Sequence, residues 1–239
     1  ATDCGMINHP GHETRPHGSM VFCDFDGTIT ERDTLQAVCR LFIPDIAAQV
    51  LPAIGRREIS LQSGVSTLIN NLPAAAAADI SDFVSREPLR RGFEQFAQQL
   101  KDWNIPLVVL SGGLGFCVEA RLQPWRHLIH GMHTLDINFD QTFMRAMIRD
   151  NRSQEAVPKA AIMLSYAAEN RIVIGDSLSD QSMALQADRV FARDRLLAFM
   201  RRKKRAVEEF ADFEDILAAL QAHGTASHCS TPAAVDSTQ

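Results

Sequence analysis

Met20-Val21-Phe22-Cys23-Asp24-Phe25-Asp26-Gly27-Thr28-Ile29-Thr30 is the stretch from which the fold can be read. An apolar run that ends in two carboxylates spaced i and i+2 predicts a short buried strand over residues 20–24, closed by a sharp turn. The same pattern returns twice. Leu107-Val108-Val109-Leu110 runs into Ser111-Gly112-Gly113, and Ile172-Val173-Ile174 runs into Gly175-Asp176-Ser177-Leu178-Ser179-Asp180. Strands are therefore predicted over 106–110 and 171–175, with amphipathic helical stretches between them. This alternation predicts an α/β fold, a Rossmann-like core with a parallel sheet between helices, whose strand ends converge on one crevice at the carboxyl edge.

Residues 34–90 break the rhythm, reading as consecutive helices punctuated by Pro44, Pro52, Pro73 and Pro88, with a helix start after Pro73. They predict a helical domain inserted after the first strand. The expected organisation is a leader or tag over 1–19, a core over 20–32 and 91–222, a helical insertion over 33–90, and a polar tail over 223–239. Gly18-Ser19 before Met20 looks like a vector junction ahead of an initiator. Residues 134–138 and 142–148, around a turn at Phe139-Asp140-Gln141, predict a hairpin. A helix is expected over 159–168.

The chemistry is expected at the strand ends. Two carboxylates two residues apart suit a hard cation such as Mg²⁺, which takes oxygen ligands and tolerates a phosphate oxygen among them. Asp24 is the candidate nucleophile toward phosphorus, and Asp26 the candidate acid for the leaving group and base for water. Gly27 permits the turn, and Thr28 can offer its hydroxyl to phosphate. Ser111, Gly112 and Gly113 present a hydroxyl and bare amides to an anion. Lys159, beside Pro158 at a predicted helix start, can neutralise both phosphate and nucleophile. Asp176 is a candidate metal ligand, and Asp180 is expected to orient either the metal shell or Lys159. Asp33 either faces a polar substrate group or caps the helix that starts at Thr34.

The chain has 239 residues and a formal net charge of -5, against the clustered cations that nucleic acid binding needs. The basic run at residues 201–205 is expected as the solvated end of a helix. Cys4, Cys23, Cys39, Cys117 and Cys229 show no paired spacing, which predicts a reducing compartment, and no apolar run reaches membrane-spanning length. A cytoplasmic enzyme, monomer or homodimer, with a small phosphorylated metabolite as partner and neither nucleic acid nor membrane, is expected.

Together Asp24-Phe25-Asp26-Gly27-Thr28, Ser111, Lys159 and the 175–180 segment resemble the four motifs of the haloacid dehalogenase superfamily. The resemblance implies a nucleophile at Asp24, an acid/base at Asp26, Mg²⁺ held by Asp24, Asp176 and the main-chain carbonyl of Asp26, and a helical cap over the pocket. Within that superfamily, Arg91-Gly92-Phe93-Glu94-Gln95-Phe96 and Val190-Phe191-Ala192-Arg193-Asp194 are similar to the phosphatases of methionine salvage. Phosphoserine phosphatases are the alternative, though they carry Ser where Gly27 stands and Glu where Asp33 stands. A binding module that has lost turnover, and a carbon–halogen hydrolase, are the rival classes; Asp26 speaks for phosphate, since halide leaves without a proton.

Overall fold

The computed structural model describes residues 17–148 and 154–222. Six strands form one parallel sheet: β1 (His17–Asp24), β2 (Leu107–Leu114), β3 (Gly131–Leu135), β6 (Ala168–Gly175), β7 (Arg189–Ala192) and β8 (Glu208–Glu209), in the order β3-β2-β1-β6-β7-β8. A separate antiparallel pair is formed by β4 (Ile137–Phe139) and β5 (Met144–Ala146).

Both faces of the sheet are covered, as continuous apolar strands require. Side chains alternate along β1. Val21 and Cys23 join a cluster with Phe93, Phe96 and Leu100 of α5 (Phe93–Asp102) and Phe213, Ile216 and Leu220 of α10 (Phe213–Ala222). Met20 and Phe22 face the other way, toward Met163 of α7 (Lys159–Ser165), Met183 of α8 (Gln181–Ala184) and Leu196 and Met200 of α9 (Asp194–Arg202). Each fully buried side chain of this size contributes about 1.5–3 kcal/mol.

Register places the functional strand ends. Asp24 pairs with Leu110, so Ser111 follows directly beside it, while Cys23 pairs with Ile174, so Gly175 and Asp176 follow on the other flank. Asp24, Ser111 and Asp176 thus sit side by side at one edge, although β2 runs on through Ser111-Gly112-Gly113 to Leu114, past the expected strand end at 110, because Leu114 still finds a partner at Leu135.

Helices α1 (Thr34–Phe42), α2 (Pro44–Gly55), α3 (Leu61–Ile69) and α4 (Ala77–Ser85) follow β1 with no strand between them, as expected. Their apolar faces, including Val38, Cys39, Leu68, Ile69 and Ile80, join one cluster with Leu114, Leu135 and Met144. The chain leaves and re-enters the core side by side. Thr30 bridges Leu89, the Glu31 amide donates to the Pro88 carbonyl at 3.1 Å, and exposed Arg32 pairs with buried Glu87 at 2.6 Å.

Several boundaries differ from expectation. Strand β1 begins at His17, because residues 17–20 find partners at Ala168, Asn170 and Arg171; the rest of the expected leader lies outside the described residues, as do the 223–239 tail, Cys4 and Cys229. Cys23, Cys39 and Cys117 are buried free thiols. The hairpin is shorter than expected, since Thr134 and Leu135 belong to β3, where Leu135 pairs with Leu114. Its turn is centred on Asp140, whose carboxylate accepts from the amides of Thr142 and Phe143 at 2.7 and 2.6 Å. Helix α7 stops at Ser165 because Ala168 enters the sheet beside β1. Helix α9 ends at Arg202 within the basic run, as expected. Among the described residues no helix is long and apolar enough to cross a membrane.

Candidate active site

Asp24 ends β1 with an extended backbone and is 2% exposed. The chain then makes one wide helical turn, Phe25–Ile29, inside which Gly27 adopts φ +80°. Glycine is needed there twice over. The left-handed backbone disfavours a side chain, and a Cβ would stand 2.5 Å from Asp176 Oδ2. The turn therefore lets the loop after β6 press against the loop after β1.

Lys159, the first residue of α7, is 1% exposed and reaches across the strand ends. Its Nζ donates to Asp24 Oδ1 at 2.5 Å, Asp180 Oδ1 at 2.7 Å and Ser179 Oγ at 3.2 Å. Burial alone would pull its pKa down, but Asp180 and Asp24 hold it above the ordinary lysine range. Asp180 is fully buried, and its other oxygen accepts from the amides of Asp176 and Ser177 at 3.1 and 3.0 Å. Of the two positions expected for Asp180, it holds Lys159 and folds the 176–180 turn at once.

Asp26 is turned aside from this ion pair. Its Oδ2 accepts from Ser111 Oγ at 3.0 Å, and its Oδ1 from the Thr34 hydroxyl and the Thr34 amide, the latter at 3.2 Å. Ser111 in turn accepts from the Gly113 amide at 3.0 Å, and Gly113 must be bare because a Cβ would meet Asp26 Oδ2 at 2.5 Å. Ser111 thus fixes Asp26, the neighbouring carboxylate. Thr28 Oγ1 donates to Asp24 Oδ2 at 3.3 Å and Asp176 Oδ1 at 3.4 Å. Asp33 caps α1, accepting from the Gln36 amide at 2.8 Å and from Gln36 Nε2 at 2.7 Å. It also lines the pocket, and burial with Asp26 nearby pushes its pKa up to about 6.

These groups open onto a cavity of about 330 Å³. Asp24, Asp26, Lys159, Asp176, Gly112 and Gly113 form its floor. Leu35, Ile54, Leu61, Val65 and Val157 give it an apolar wall that composition alone left unassigned. Arg195 also lines the cavity, and its guanidinium lies 3.4 Å from where a Cβ on Gly55 would stand. Thr34, which anchors Asp26, was likewise missed; its only sequence signal is a hydroxyl at the start of a predicted helix.

The donor set suits a hard cation. Carboxylate oxygens of Asp24, Asp176 and Asp180 lie within 4.8 Å of one another. Asp26 contributes no side-chain oxygen to this trio, so the expectation that the two carboxylates of the 24/26 pair share the cation is not met: Ser111 and Thr34 draw the Asp26 carboxylate aside, and only its main-chain carbonyl, the ligand the resemblance implied, is left for that role. Burial, then Asp180, pushes Asp24 above the usual carboxylate range against the pull of Lys159, and burial with Asp180 and Asp33 pushes Asp176 up to about 8. So crowded a set of acids around one ammonium is under-neutralised, and the three carboxylates together form a group that could hold a divalent ion.

A family model described as haloacid dehalogenase-like hydrolase matches residues 21–185. A 2-hydroxy-3-keto-5-methylthiopentenyl-1-phosphate phosphatase of Microcystis aeruginosa is 33% identical over 199 residues, covering 82% of this chain and 95% of its own. One from Bacillus cereus (strain B4264) is 35% identical over 212 residues, with 84% and 95% covered. Among solved structures, a phosphoserine phosphatase bearing an analogue of its phospho-aspartyl intermediate superposes with a TM-score of 0.64 at 17% identity, covering 85% of this chain and 99% of that one. A phosphoserine phosphohydrolase-like protein from Francisella tularensis gives 0.67 at 14% identity, with 84% and 99% covered. At such identities the structural likeness speaks for a shared fold.

Proposed function

The chain belongs to the haloacid dehalogenase-like hydrolase family as one of its phosphatases, and from that premise we propose that it hydrolyses 2-hydroxy-3-keto-5-methylthiopentenyl-1-phosphate by way of phosphorylated Asp24, with Mg²⁺ as cofactor. The observation that carries the mechanism is the buried Asp24–Lys159–Asp180 relay at the floor of the cavity.

Asp24 is the nucleophile. With Oδ1 held by Lys159, Oδ2 is the oxygen free to attack phosphorus, and Thr28 steadies it. The phosphorus–oxygen bond to the substrate breaks as the aspartyl phosphate forms, and Asp26 delivers a proton to the leaving oxygen. Water then attacks the aspartyl phosphate, Asp26 takes its proton, and phosphate leaves with Asp24 restored. Lys159 offsets the repulsion between carboxylate and phosphoryl oxygens, and Gly112 and Gly113, bare of side chains, line the cavity beside it. Asp24, Asp176 and the main-chain carbonyl of Asp26 would hold Mg²⁺, which when bound supplies the positive charge that one lysine cannot.

Helices α1–α4 serve as the cap, hinged at the paired crossings at Thr30 and Leu89. The apolar wall supports a substrate whose far end is apolar, such as a methylthio group. Phosphoserine would bring an ammonium and a carboxylate to that wall, and Asp33, one of the acids lining the cavity, is already engaged by Gln36 on both oxygens. The test is phosphate release with Mg²⁺ from the methylthio substrate and from phosphoserine. Expected is a preference in kcat/KM of about 10- to 100-fold for the former; equal or better turnover of phosphoserine overturns the substrate assignment.

A further inference from the structure

Arg90 stands where the chain re-enters the core, 8% exposed and with no ion-pair partner among the described residues. Five consecutive carbonyls converge on it. Its Nε donates to Thr28 O at 2.8 Å, and Nη2 to Gly27 O at 2.7 Å, Glu31 O at 3.1 Å and Thr30 O at 3.2 Å. Its own backbone amide takes the remaining one, Ile29 O, at 2.7 Å, while Nη1 reaches Ala211 O at 3.4 Å. The wide turn after Asp26, opened by Gly27 at φ +80°, aims this row of carbonyls to one side, and the planar fork collects four of the five.

The clamped row lies in the chain between Asp26 and one of the two residues that anchor it. On one side the Asp26 carboxylate is held by Ser111 of β2; on the other it is held by Thr34, the first residue of α1, and the clamped carbonyls of residues 27–31 lie between Asp26 and Thr34. A row free to slide would shift Thr34 relative to Ser111 and with it the carboxylate they share. Thr28, whose hydroxyl touches Asp24 and Asp176, lies within the same row.

We propose that Arg90 is a positioning residue for the phosphoryl-transfer site, holding residues 27–31 so that Thr28 meets Asp24 and the Asp26 carboxylate keeps its place between Ser111 and Thr34. The proposal rests on the phosphatase reading above. Lysine keeps the charge but offers a point donor on a flexible stem, so Arg90→Lys loses the fork while preserving the cation.

The test is Arg90→Lys, assayed on p-nitrophenyl phosphate well below its melting temperature. Expected is a fall in kcat of roughly 30- to 100-fold with KM and inhibition by inorganic phosphate within about threefold, the signature of displaced reacting groups over an intact pocket. A kcat within about threefold of the parent, or a parallel loss of phosphate affinity, overturns it and leaves Arg90 a structural tie. If the lysine variant does not fold, Arg90→Ala is assayed with guanidinium ion and, separately, methylammonium. Rescue by guanidinium alone supports the proposal, and rescue by neither or by both equally overturns it. Amide hydrogen exchange separates this from failure of the phosphatase reading. In either variant the amides of Gly27, Thr30 and Thr34 should lose protection while those of β1 and β2 keep theirs; unchanged protection at 27–34 overturns the proposal even if the parent hydrolyses nothing.

Discussion

Replacing Lys159 with Met removes the one cationic side chain among the described residues that pairs with Asp24 and Asp180, and the cost can be worked from the geometry. Its Nζ lies 2.5 and 2.7 Å from the two carboxylates, and all three side chains are at most 3% exposed. At an effective dielectric near 20 each pair is worth about 6 kcal/mol of gross attraction, most of it offset by desolvation. Removing one partner of such a buried set strands the rest and costs about 3–5 kcal/mol, a large part of the roughly 5–15 kcal/mol that stabilises a domain. The pH dependence follows in sign. Burial already raises the Asp24 pKa, and without Lys159 nothing opposes it, so the stranded carboxyl is relieved by protonation and Lys159→Met is more stable near about pH 5 than near about pH 8. Urea unfolding at the two pH values measures this, alongside kcat/KM for p-nitrophenyl phosphate, which should fall by about 10³-fold. A variant that unfolds with the parent's midpoint near about pH 8, or retains kcat/KM within about tenfold, would refute the relay.

Asp24→Asn should abolish turnover with the circular dichroism spectrum unchanged; near-parental activity would mean the nucleophile lies elsewhere. Chelation should remove activity and excess Mg²⁺ restore it. At a concentration of about 100 times the dissociation constant Mg²⁺ should also stabilise the fold by about 2.7 kcal/mol, an effect lost in Asp176→Asn and read from thermal melts. Asp33, with a folded pKa of about 6 above its unfolded value, contributes stability fully present below about pH 4 and lost as pH rises through about 6. Asp33→Asn keeps an acceptor for the Gln36 amide, so it should match the parent near about pH 4 and exceed it by about 3 kcal/mol near about pH 8; an equal difference at both would sink this account.

The sheet and the floor of the site were legible because both are written locally. An apolar run that stops at a carboxylate or a glycine reports a strand and its end together, and parallel pairing then brings Asp24, Ser111 and Asp176 to one edge without further information. Lys159 was legible only as a neighbour of these, since a lone lysine carries no sign of being buried. Strand β8, two residues long, leaves no periodicity to find. The cavity wall was hidden for a different reason. Ile54, Leu61 and Val65 follow the same helical spacing as the insertion's other cluster residues, so sequence does not separate a side chain that packs within the helices from one that faces substrate.

Arg90 marks the furthest reach of this limit. Leu89-Arg90-Arg91-Gly92 presents two adjacent arginines of identical chemistry, yet one is buried against the row of carbonyls and the other is an exposed partner of Asp212 and Glu214. The difference is made by acceptors that leave no trace in side-chain identity, because backbone carbonyls are present at every residue. What selects Arg90 is the turn opened by Gly27, more than sixty residues earlier, which is itself required by the approach of Asp176 from a third strand. The arginine, the glycine and the aspartate are therefore one solution to a single packing problem, how to bring several buried carboxylates to one sheet edge. A change at any of the three should disturb the other two.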